Sequence, residues 1–399
     1  MLRLRLSLVI SLALPLVAGP VASVAAQESR ASLIGAQQAD KARTLAPYVP
    51  NKAERILATV QRELLLDPNG MYPLFASVYS GGGLTLGGGY RQFYGDRTHL
   101  DLKGLYSIKN YKLLEVSTDS WGHADDRVDL HARVGWRDAT QVRFHGLGMS
   151  SPEEGTNFRM KQTYVGADVT ARPIGPVVTA AGLTFEDFNM QPGTGSTPSI
   201  ETVHTPQTAP GLGDSPSFLH VMASAGLDTR PSPGYARRGA LYALTYHNYA
   251  DRNDTYSFDR LDAEIVQHIP ILRETWIVSL HGQLQTTLDD DDAVPYFLLP
   301  SLGGGSSLRG YSGWRFRDRT GLVMSGEFRW IPNRLGLDMA LFYDTGKVTP
   351  RFDDLSFKGL ASNVGVGIRF HGPISTPLRI DIAKGREGIH LVFGGSAAF

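Results

Sequence analysis

The chain has no cysteine in its 399 residues, and its 39 basic side chains are cancelled by 39 acidic ones. The first absence removes disulfides and thiolate metal sites, so packing and hydrogen bonding must hold the fold. It also excludes lipid attachment at a processed cysteine. The charge balance leaves no basic footprint of the kind nucleic-acid binding requires. Long apolar runs are missing too: after Ala26 no stretch is long enough to cross a bilayer as a helix. Met1–Ala26 carries Arg3 and Arg5, an apolar run through Leu6, Val9, Ile10, Leu12, Leu14 and Leu16, and small residues at Val24 and Ala26. That is the pattern of a cleaved secretory signal, with Gln27 as the new N-terminus and a function outside the cytoplasm. A membrane-anchor helix would lack the cleavage pattern.

Hydrophobic residues make up 42% of the chain but are dispersed, which leaves two architectures for an exported chain of this size. One is a closed transmembrane barrel, and the other is a soluble sandwich or propeller. Alternation is clearest in the C-terminal third. Leu322, Met324, Gly326, Phe328 and Trp330 share one face, and Val323, Ser325, Glu327 and Arg329 the other. Leu337, Met339, Leu341 and Tyr343 oppose Asp338, Ala340, Phe342 and Asp344. Val364, Val366, Ile368 and Phe370 oppose Asn363, Gly365, Gly367 and Arg369, and Leu378, Ile380 and Ile382 oppose Arg379 and Asp381. A sandwich also alternates, with charges in water.

Loop parity favours the barrel. Sixteen strands are read, starting near Leu74, Leu84, Leu100, Lys112, Val128, Met160, Val177, Leu219, Gly239, Asp259, Trp276, Leu322, Leu337, Val364, Leu378 and Ile389. Even-to-odd connections are mostly short and several hold proline, as in Arg172–Pro176, Arg230–Gly234 and Ile331–Arg334. Odd-to-even connections include the long segments Arg137–Arg159, Asn189–Phe218 and Gln285–Gly321. Short turns at one end and long loops at the other are a barrel trait, and a sandwich gives no reason for them. Gln191–Ser217, rich in Pro, Gly, Ser and Thr, reads as a surface excursion. The last strand runs Ile389, Leu391, Phe393 and on to Ala397 and Phe399, so Phe393 and Phe399 are expected on the lipid face as a C-terminal assembly signal. The expected fold is an all-β, sixteen-stranded antiparallel transmembrane β-barrel over residues 71–399, with residues 1–26 as the signal. Residues 27–70 form a periplasmic or plug segment with one short helix at Asn51–Leu65, where Ile56, Leu57, Val60 and Leu64 make the apolar stripe.

A barrel this wide is not filled by strand side chains alone. The connection before Leu322 holds Gly303, Gly304, Gly305, Gly310 and Gly313 for tight turns, with Tyr311, Trp314 and Phe316 as bulk. Folded inward, it would take Arg309 out of bulk water, where an unpaired guanidinium costs several kcal/mol. Glu327 and Asp344 point inward on the phase read above, and one guanidinium can bond two carboxylates. The alternative is a solvated Arg309 with two ordinary lumen acids.

Leu308-Arg309-Gly310-Tyr311, then Arg315-Phe316-Arg317-Asp318, Glu327-Phe328-Arg329 and Phe342-Tyr343-Asp344-Thr345-Gly346-Lys347-Val348 resemble the motifs of the bacterial surface antigen family. This is the superfamily of BamA-type and TamA-type outer-membrane proteins and two-partner secretion transporters. The resemblance covers about Pro295–Phe399 and, through the strand count, reaches back to about residue 71. It implies a barrel of the Gram-negative outer membrane whose first and last strands meet at a seam. It also implies an inward loop pinned by Arg309, Gly310 and Tyr311 to Glu327 and Asp344, and transport or insertion of protein or lipid. Client-handling members carry periplasmic POTRA domains, and Gln27–Gly70 is too short for one.

Enzyme motifs are absent: there is no Gly-x-Ser-x-Gly elbow, and the 11 histidines have no His-Glu-x-x-His spacing. Asp344-Thr345-Gly346-Lys347 lacks the upstream glycines of a phosphate loop. Asp289–Asp292 reads as a solvated acidic loop, with divalent-cation binding near lipopolysaccharide as the alternative. No enzyme activity, cofactor or metal is expected. The expected partners are outer-membrane lipids and lipopolysaccharide, the barrel assembly machinery during biogenesis, and a client protein or a separate periplasmic partner. Two other readings stay open, a pore-forming or structural barrel without translocation and, third, a barrel lipid hydrolase.

Overall fold

Wherever apolar and polar residues alternate with period two, the backbone can satisfy its hydrogen bonds only laterally, and it does so in one sheet. The computed structural model describes residues 35–38, 40 and 69–399, apart from 273, 290–293, 306, 333–335 and 373–374. The chain divides into two units, Met1–Leu57 and Ala58–Phe399. In the first, residues 35–38 and 40 are helical and exposed. The signal segment and the helix expected at Asn51–Leu65 lie outside the described residues.

The second unit is the barrel. Its strands begin with β1 (Gly70–Phe75), β2 (Thr85–Tyr94), β3 (Thr98–Ser107), β4 (Lys112–Gly122), β5 (Val128–Phe144) and β6 (Thr156–Ala171). β7 (Val177–Pro192), β8 (Ser217–Asp228), β9 (Gly239–Asp251), β10 (Phe258–Leu272) and β11 (Trp276–Thr287) follow. After a two-stranded ribbon, β12 (Ser301–Leu302) with β13 (Phe316–Arg317), come β14 (Thr320–Trp330), β15 (Leu337–Thr349), β16 (Ala361–Phe370), β17 (Leu378–Gly385) and β18 (Gly388–Gly394). The 16-stranded sheet runs in sequence order from β1 to β11 and then β14 to β18. Most strands begin within a few residues of the starts read from the alternation. The ribbon within the β11–β14 connection was not foreseen.

The two faces differ as a bilayer demands. Leu280, Leu341, Val364, Val366, Ile382 and Leu391 are all exposed on the outer face. Asp338, Asp344, Arg369 and Asp381 are buried on the inner one. A soluble protein could not leave so wide an apolar belt uncovered. Connections such as 95–97, 172–176 and 273–275 are short, whereas 145–155, 193–216, 288–319 and 350–360 are long. The long-loop end is therefore the extracellular one.

Two details position the site. β1 pairs with β2 and β18 with β17, so among the described residues the first and last strands each keep an edge outside the ladder. Both are short, 6 and 7 residues. The other detail corrects an expectation. Phe393 continues the outward row of Ile389 and Leu391, but β18 stops at Gly394 and Phe399 does not reach the lipid face. Its ring stacks on His281 with centroids 5.0 Å apart and planes at 13°, and lies 6.5 Å from the ring of His268. Both histidines are lumen-facing, on β11 and β10. The glycine pair Gly394-Gly395 supplies the reason, since it offers no side chains to hold the strand pairing and lets the tail turn inward.

Candidate functional site

The connection between β11 and β14 enters the lumen, and its packing starts from its glycines. Gly304 sits at a φ of 85°, where a side chain is strained, and its N–H donates to the carbonyls of Leu308 and Tyr311, each at 3.1 Å. Leu308, Tyr311 and Phe316 bury themselves with Leu302, Val323 and Val348. Gly310 faces the wall so closely that a Cβ there would lie 2.8 Å from the backbone nitrogen of Gly385 and would also clash with Asn363. Tyr311 closes the contact by donating its hydroxyl to the carbonyl of Ser362 at 3.2 Å.

This packing delivers Arg309 to the inner wall. Its Nε and Nη2 donate to the two oxygens of Asp344 at 2.9 and 2.7 Å, a bidentate pair, and Nη1 donates to Glu327 at 2.9 Å. Asp381 lies 3.4 Å from the same Nη1. The guanidinium also stacks over Phe342 with its carbon 3.4 Å from the ring centroid. Burial opposes its charge, but the Asp344 hydrogen bonds and the three carboxylates outweigh that and hold Arg309 above its ordinary pKa.

The wall carries its own counter-charges. Arg369 donates to Glu327 at 2.6 Å and to Asp381 at 2.7 Å. Arg379 lies 3.5 Å from Asp381 and donates to the carbonyl of Gly305 at 2.7 Å. Asn363 donates to Asp344 at 2.9 Å. Register makes this possible: Glu327 pairs with Phe342, Asp344 with Asn363, Gly367 with Asp381 and Arg369 with Arg379, so four strands present these groups side by side. Glu327, Asp344 and Asp381 thus face Arg309, Arg369 and Arg379, a balanced set of three against three. Sequence reasoning named Glu327 and Asp344 as partners but not Asp381, Arg369 or Arg379. Their inward phase was visible, and the signal that could have found them is the balance of charge a closed lumen requires.

The rest of the loop is also anchored. Arg315 donates from Nε to Glu387 at 2.8 Å and from Nη1 and Nη2 to the hydroxyl and carbonyl of Ser151 at 2.9 and 2.8 Å. Arg317 donates to the carbonyl of Tyr296 at 3.0 Å and is caged by Trp314, Phe144 and Phe158. Burial lowers its pKa to about 10, so it stays charged at neutral pH. His145 ties the loop to the β5–β6 connection. Its Nδ1 lies 3.2 Å from the carbonyl of Pro152 and must donate, which leaves Nε2 to accept from the Ser312 hydroxyl at 3.5 Å. Among the described residues no cluster of three or more His, Asp or Glu is placed to hold a metal. The arrangement can orient and pin a loop.

The buried loop arginine thus sits on wall carboxylates in a barrel whose first and last strands, among the described residues, each keep an edge outside the ladder. The family model described as the Omp85 superfamily domain matches residues 124–394. The chain belongs to the Omp85 superfamily. Its location is therefore the outer membrane of a Gram-negative bacterium. Among solved structures, BamA of Haemophilus ducreyi lacking POTRA domains 1–3 is similar at 15% identity and a TM-score of 0.58, over 82% of this chain and 69% of that one. CdiB of Acinetobacter baumannii is similar at 12% identity and a TM-score of 0.51, over 79% of this chain and 57% of that one. At these identities the likeness is one of fold. A search of curated proteins returned no match.

Proposed function

We propose that this Omp85 barrel moves protein or lipid into or across the outer membrane, with the Arg309 loop as a latch that keeps the seam side of the lumen in register. The observation that carries the reading is the balanced arginine and carboxylate set that ties the loop to β14, β15, β16 and β17, the strands leading to the open edge of β18. An unpaired strand edge is a template for another strand. A latch beside it would hold one edge still while the seam parts. The lumen is occupied by the loop and by Phe399, which argues against a permanently open pore.

The test uses the absence of native cysteine. Cysteines introduced at Ala76 and Ser396, which line one cavity beside the seam, are joined by a cleavable cross-linker. The protein is then reconstituted in liposomes. Accelerated insertion of an unfolded client barrel, or lipid transfer, that stops on cross-linking and returns on cleavage supports the reading. Conductance without either favours a pore, and release of fatty acid favours a hydrolase.

A further inference from the structure

The outer wall holds a second feature, distinct from the lumen site. At the extracellular rim the lipid-facing residues Leu261 and Ala263 of β10 lie beside Thr286 and Leu284 of β11. With Leu288 and Phe352 they line a groove of about 550 Å³. Arg319 and Arg351 form its upper lip, with Asp289 between the loops. The walls are fixed. Arg319 donates to the carbonyl of Pro350 at 2.8 Å and to that of Asp289 at 3.2 Å, bridging the β11–β14 and β15–β16 connections. Lys347 donates to Ser356 and to the carbonyl of Lys358, each at 3.0 Å, and so ties down the loop that carries Phe352. The Asp289 carboxylate is engaged by the backbone N–H of Asp259. Arg351, by contrast, has a side chain 73% exposed, and among the described residues its ion pair is with Asp354 at 3.4 Å.

An apolar groove of this size at bilayer height is filled by hydrocarbon, because water there would be held against leucine and phenylalanine surface. Arginine above an apolar floor is complementary to a phosphate carried on acyl chains. The long-loop end faces the outer leaflet, where the phosphorylated lipid is lipid A. We propose that the groove seats an acyl chain of lipid A, with a phosphate of its disaccharide against Arg351 and the Arg319 lip.

The full chain in phosphatidylcholine nanodiscs would be titrated with bisphosphorylated hexa-acyl lipid A, with its dephosphorylated form and with phosphatidylglycerol, and bound lipid counted by native mass spectrometry. Bisphosphorylated lipid A should be retained about tenfold more strongly than either control, the size of effect a charge-assisted contact provides. Arg351→Glu should abolish that preference without touching the fold, because the side chain is exposed. Leu284→Trp, which fills the floor, should weaken retention of both lipid A forms, and Ala263→Phe serves the same purpose should that variant fail to fold. Equal retention of all three lipids, or an unchanged preference in Arg351→Glu, would overturn the proposal and mark the groove as part of the general lipid annulus.

Discussion

Removing the loop arginine is the sharpest test of the latch. Arg309→Ala leaves Glu327 and Asp381 with ion pairs to Arg369 and Arg379, and with Arg329 acting on Glu327 from further off, but the bidentate partner of Asp344 is lost. Breaking a buried pair by deleting one partner costs about 3–5 kcal/mol. Four side-chain hydrogen bonds and the stacking on Phe342 go with it. Asp344→Asn alone makes the opposite error, three arginines against two acids. The double variant restores two against two, so it should be less damaged than the sum of the singles, by about 1–3 kcal/mol of coupling. The assays are heat modifiability of the folded barrel on gels and the rate at which protease cuts the 303–314 loop. Wild-type heat resistance and loop protection in Arg309→Ala would refute the latch. Strict additivity of the two substitutions would refute the charge balance while leaving the loop packing in place.

Other expectations follow from the same geometry. Gly310→Ala should loosen the loop as much as Arg309→Ala despite changing no charge, because a Cβ there meets Gly385 and Asn363; unchanged protease protection would contradict that close approach. His145 is held at a pKa of about 4, below its ordinary 6.5, by burial and then by Arg315. The folded state thus prefers the neutral ring, so the contribution is intact above about 6.5 and is lost as pH falls toward 4, on the order of 3 kcal/mol at most. Loop protection measured across that window should fall in the wild type and stay flatter in His145→Gln. Phe399→Ala, which removes the ring from His281 and His268, should raise single-channel conductance in planar bilayers; equal conductance would mean the tail blocks nothing.

Much of the barrel was legible because a membrane strand must alternate and must end in a turn, and both constraints are local. The inward phase of Glu327 and Asp344 followed from counting by two along β14 and β15. Phe399 shows where counting stops: the phase predicted a lipid-facing ring, but phase holds only while a strand stays paired, and pairing ends at Gly394. Asp381, Arg369 and Arg379 were legible as inward residues but not as partners of Arg309, since strand register across β15, β16 and β17 decides which side chains meet.

The sequence by itself determined the class of solution. No cysteine, no second apolar helix, period-two strands and unequal loops leave a transmembrane barrel, and a glycine-rich segment with one arginine marks the loop inside it. Only the tertiary structure decided that three arginines and three carboxylates share one neutral cluster, that the C-terminus turns into the lumen, and that two extracellular connections close over a groove on the outer wall. These features depend on contacts between residues tens to hundreds of positions apart, and such contacts are set by closure of the sheet rather than by any local pattern.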